Sequence, residues 1–137
     1  MERGVSMPGQ PEHSVDFESQ YGAHSKEVFR AIVRDELAKG AEAGEQARIY
    51  AELGKPDFVL AYLLASTLAE PEKRDLLARA YERRAEHTDA KAHEFDRKFH
   101  RPFPMLHSEA TLDRKAARHI RAGHAIQPDT ARQVPIL

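Results

Sequence analysis

Apolar positions recur at intervals of three and four along most of the chain, the period of helices that each lay one face on a core. Val28, Phe29, Ile32, Val33 and Leu37 form a first stripe behind Ser25, which reads as its N-terminal cap. Ala43, Ala47, Tyr50, Ala51 and Leu53 form a second, predicted over residues 42–53 and closed by Gly54. Beyond Lys55, Pro56 and Asp57, the run Phe58, Val59, Leu60, Ala61, Tyr62, Leu63, Leu64, Ala65 and Leu68 leaves almost no polar face. Such a helix belongs at the centre, wrapped by at least three others.

Pro71 opens a longer stretch in which Leu77, Tyr81, Ala85, Thr88, Ala92, Phe95 and Phe99 predict a helix over roughly 72–100. It ends where Arg101, Pro102, Phe103 and Pro104 forbid helix. Leu112, Ala116 and Ile120 predict a last helix from Ser108 or Thr111 to Ala122, stopped by Gly123. Residues 1–24 mix glycine, proline and polar residues without a period and read as a flexible arm, with Phe17 and Tyr21 available to dock on the body. Residues 125–137 read as a tail, and no segment alternates as a strand does. The expected fold is all-α, with about five helices over residues 25–124 forming a bundle or stacked helical hairpins.

Composition agrees with one folded domain: 137 residues, 41% hydrophobic and 31% charged. A net charge of −1 provides no global field toward nucleic acid or an anionic membrane. The absence of cysteine removes disulfides, thiolate zinc sites and cysteine nucleophiles together, and suits a cytoplasmic location. The first 25 residues lack a signal-peptide apolar core, and the uncharged run 58–69 is shorter than the ~20 residues of a membrane helix. No membrane association and no cofactor are expected.

Residues 47–71 and 78–102 superpose with an offset of 31, matching Ala47 with Ala78, Tyr50 with Tyr81, Ala61 with Ala92 and Pro71 with Pro102. Ala47, Tyr50, Gly54, Val59 and Pro71 hold a small residue, an aromatic, a turn glycine, a small residue and a closing proline in order. In this, residues 47–71 resemble a tetratricopeptide repeat. In the second copy Ala85 replaces the turn glycine, and the offset is shorter than the family's 34. The resemblance implies stacked hairpins that bind a peptide or partner protein without catalysis, and makes Tyr50, Tyr62 and Tyr81 candidate partner contacts.

Glu82, Glu86, Asp89, His93, Asp96 and His100 follow one another at spacings of 4, 3, 4, 3 and 4, which puts all six on one face of an unbroken helix. Asp89 with His93, or Asp96 with His100, is an i, i+4 couple able to share a divalent metal with ligands from elsewhere. The bland alternative is a solvated face whose carboxylates pair with neighbouring cations. The stripe needs a continuous helix and the second repeat needs a break near residue 87, so the two exclude each other. Arg114, Lys115, Arg118 and Arg121 make the last helix the most basic region and the candidate nucleic-acid contact, although no aromatic platform accompanies them.

No phosphate loop, His-Glu-x-x-His or Gly-x-Ser-x-Gly motif is present, so nothing demands an enzyme. The leading expectation is a non-catalytic helical module that binds a protein or peptide partner, or a second copy of itself. The alternatives are a metal-binding or nucleotide-handling bundle using the Asp/His stripe, and a small nucleic-acid-binding accessory protein.

Overall fold

The computed structural model describes residues 16–124, and over these residues the chain is all-α. A short helix α1 (Phe17–Tyr21) leads through a 3-10 turn (Gly22–His24) to α2 (Glu27–Ala38), α3 (Ala43–Glu52), α4 (Pro56–Ala65), α5 (Glu70–Phe99) and α6 (Pro104–Arg121). The predicted tail 125–137 lies outside the described residues, as does the arm up to residue 15.

The rest of the predicted arm is ordered. Asp16 caps α1 by accepting from the Ser19 amide, and Phe17 and Tyr21 are fully buried in the core. Gln20 Nε2 donates to the Gly123 carbonyl at 2.6 Å, and the Tyr21 hydroxyl to that of His124 at 2.6 Å, so α1 is tied to the end of α6. Two large aromatic side chains thus offset the ordering entropy that glycines and prolines suggested would go uncompensated. Ser25 does not cap α2: that role falls to Lys26, while Ser25 is buried with its hydroxyl unpartnered.

α4 is the central element, with Val59, Leu60, Ala61, Tyr62 and Leu63 buried among α2, α3 and α5. α3 is capped by Glu42, whose carboxylate accepts from the Gly44 and Glu45 amides. It closes on Gly54 at φ 71°, with the Lys55 amide donating to the Tyr50 carbonyl, a left-handed C-terminal motif. Residues 47–71 therefore contain a helical hairpin. Residues 78–102 do not: α5 runs unbroken through residues 85–89, which hold no glycine or proline to interrupt it.

At 1.5 Å per residue, α5 extends for about 45 Å, roughly three times α3 or α4. Its ties to α3 fall in the first half, where Glu72, Arg79 and Arg83 bond Arg48 and Glu52. The core cluster draws on α5 only as far as Tyr81. Further along, α5 is paired with α6, which begins before both expected starts, Ser108 and Thr111, because Pro104 occupies its first turn. Ala85, Thr88 and Ala92 of α5, and Glu109, Ala110, Asp113 and Ala116 of α6, are buried along this two-helix arm. Small residues let the two backbones approach closely. No helix among the described residues is long and apolar enough to cross a membrane.

Candidate functional site

The continuous α5 preserves the Asp/His stripe, of which Glu82, Asp89 and Asp96 meet α6, whereas Glu86 pairs with Arg83 of its own helix and His93 and His100 are exposed. Read from the base of the arm outward, Glu82 accepts from Arg121, Asp89 from Arg114, and Asp96 meets His107. Arg121 also donates to Asp75. The acidic stripe and the basic last helix are therefore two sides of one charge ladder, each neutralising the other across the antiparallel pair. Of the cations assigned to nucleic acid, Arg114 and Arg121 are committed to these carboxylates, Lys115 is half-buried, and Arg118 is exposed. No continuous phosphate-binding row is left.

The proposed metal couples are rearranged in the same way. Asp89 is held by Arg114, and His100 leaves the helix in a left-handed conformation at φ 55° as its C-terminal cap. His93 and Asp96, an i, i+3 pair, instead meet His107 of α6, and each of the three offers a ligand atom within 4.8 Å of the others. His107 Nε2 lies 3.0 Å from Asp96 Oδ2, and the His93 and His107 rings are 5.4 Å apart at 69°. The Phe103 amide donates to Asp96 Oδ1 at 2.9 Å. The Asp96 carboxyl is held below the usual carboxylate range, chiefly by the His107 hydrogen bond, with partial burial opposing and the Phe103 amide reinforcing it. Reading α5 alone missed His107. The signal that could have found it was the short 101–103 turn, which folds α6 back and brings residue 107 beside the last turns of α5.

Beyond this cluster the arm ends in an aromatic cap. Phe95, Phe99 and Phe103 form a triangle with centroid separations of 5.9, 5.5 and 5.7 Å. Lys91, Lys98 and Arg101 each lie over one of these rings, at 5.6, 5.6 and 5.3 Å from the centroid. Phe99 is 51% exposed and Met105 56% exposed. An open cleft of about 260 Å³ adjoins Met105, lined by Arg101, Pro102, Phe103, Pro104, Met105 and Leu106. Over residues 91–101, Lys91, Arg97, Lys98 and Arg101 are exposed, against the single exposed carboxylate of Glu94. Local charge thus departs from the neutral whole.

The tyrosines expected at a partner surface behave differently. Tyr62 is buried at 1% exposure, and Tyr50 stacks between it and Phe58 at 5.6 and 4.8 Å, while Tyr81 lies under the Arg84 guanidinium. Tyr62 is a core residue because it sits on the stretch of α4, residues 59–63, that α2, α3 and α5 cover, whereas Tyr50 and Tyr81 are half-buried at its margin.

Comparison of the chain with protein-family models, curated proteins and solved structures gives no match.

Proposed function

We propose that the protein is a non-catalytic helical interaction module whose α5–α6 arm docks an acidic segment of a partner protein at its tip. The observation that carries this reading is the end of the arm itself: Met105, more than half exposed, lines an apolar cleft with Arg101; Phe99, also more than half exposed, packs on Phe103 of its wall; and Lys91, Arg97 and Lys98 are exposed on the last turns of α5. Isolated exposed apolar side chains are ordinary, but a contiguous aromatic patch with a charged rim is the anatomy of a recognition surface. The excess of positive charge selects the chemistry of the partner, since an acidic segment gains both steering and rim pairs there. Support also comes from the arm's length, which carries the patch clear of the α1–α4 body.

The test is photo-crosslinking in the native cell with p-benzoylphenylalanine at position 99, with position 48 on α3 as control. The expected product joins position 99 to a segment of another protein with net negative charge, and it is lost when Lys98 and Arg101 are both changed to Glu. Products confined to lipid or to this same chain, or products indifferent to the charge reversal, overturn the reading.

A further inference from the structure

We propose that His93, Asp96 and His107 form a binding site for a divalent transition-metal ion of the zinc type. This inference goes beyond the docking tip and does not depend on it. Two imidazoles and one carboxylate suit zinc, nickel or copper, whereas calcium and magnesium take all-oxygen shells. The three donors come from two helices and already lie within 4.8 Å of one another. Ligand atoms around a tetrahedral zinc at about 2.0–2.1 Å are separated by roughly 3.3 Å, so small side-chain rotations complete the set.

Two features favour those rotations. The Phe103 amide fixes Asp96 through Oδ1 and leaves Oδ2, the oxygen nearest His107, for the ion. That amide is the kind of outer partner that orients a ligating carboxylate. His93 is exposed, so its ring can swing without disturbing packing and the ion has a path from solvent. Three protein donors leave the fourth position to water.

The ion would cross-link the distal turns of α5 to the first turn of α6. That is where the arm lies beyond the core cluster and is joined by the alanine-rich seam and the Asp89–Arg114 pair. Its effect is to fix the helix ends that carry the aromatic cap.

The experiment titrates untagged full-length protein with Zn²⁺ by calorimetry and follows histidine ring resonances by NMR. The expected result is one saturable equivalent, with perturbations confined to His93 and His107, and binding at least tenfold weaker in His93→Ala, Asp96→Ala and His107→Ala. His100→Ala and His87→Ala should leave it unchanged. Because His93 is exposed, its alanine variant tests the site even if the His107 or Asp96 variants perturb the arm. Non-saturable uptake, or binding that persists in His93→Ala and His107→Ala, overturns the proposal.

Discussion

Arg84 of α5 grips the fully buried carboxylate of Asp113 on α6 through two parallel hydrogen bonds, Nε to Oδ2 at 3.0 Å and Nη2 to Oδ1 at 2.9 Å. The pair sits where the arm leaves the body, one turn past the last α5 residue in the core cluster. Desolvating two charges is costly, and this geometry compensates only while both are present. Asp113→Ala should therefore lower stability by about 3–5 kcal/mol in denaturant unfolding, far more than loss of an exposed pair such as Arg34–Glu27. Replacing both members with apolar residues, Arg84→Met with Asp113→Leu, should recover most of that loss. A double variant as unstable as Asp113→Ala would refute the isolated-charge explanation.

Gly54 makes the close approach of the α3–α4 turn to α5 possible. Its φ is 71°, and a Cβ there would meet Arg84 N at 2.9 Å, Arg84 Cα at 3.1 Å and the Arg83 carbonyl carbon at 3.2 Å, all backbone. Gly40 is also left-handed, at φ 105°, but a Cβ would meet nothing within 4 Å. Gly40→Ala should cost only the strain of that conformation, about 1–2 kcal/mol. Gly54→Ala should cost clearly more, and the difference between the two unfolding free energies isolates the helix contact. Equal losses would show that the turn yields without disturbing α5.

Ser25 was read from the sequence as a helix cap, and the structure buries it with no partner for its hydroxyl. A buried hydroxyl that makes no hydrogen bond carries a desolvation cost without a return. Ser25→Ala should leave the melting temperature unchanged or raise it slightly, where loss of a true cap lowers stability by about 1 kcal/mol. A fall of that size would mean the hydroxyl is satisfied in solution.

These cases show how far the sequence carries. The three- and four-residue periods located α2, α3, α5 and α6, and the unbroken apolar run located α4 and put it at the centre, because periodicity and composition are local. The Asp/His stripe was also visible, since it depends only on spacing within α5. What could not be read locally was what each stripe faces. Asp89 looked like a ligand until Arg114 lay beside it, and His107, on another helix, joined the stripe only because the 101–103 turn places it against Asp96. Tyr62 stood as a candidate partner contact, but its burial depends on which helices cover α4. Residues 16–24 read as loose because two buried aromatics escape a search for periodicity.

Tyr21 joins that N-terminal segment to the end of α6 and gives the docking a pH limit. Its phenol is pushed above the ordinary tyrosine value of 10.0 by burial, with Arg74 pulling the other way. The folded state thus favours the neutral phenol, which also donates to the His124 carbonyl. A raised folded pKa means that the stabilisation is complete below pH 10.0 and is lost as pH rises from there through the folded value. Above pH 10 the wild type should release α1 from the body while the longer helices persist. Backbone NMR or proteolysis at residues 16–24 reads this directly, with ultraviolet absorbance following the phenolate. Tyr21→Phe cannot ionise and should keep α1 docked at pH values where the wild type lets go, although it is weaker at neutral pH by about 1 kcal/mol for the missing hydrogen bond. Parallel release of α1 in the two proteins would place the alkaline transition on some other group.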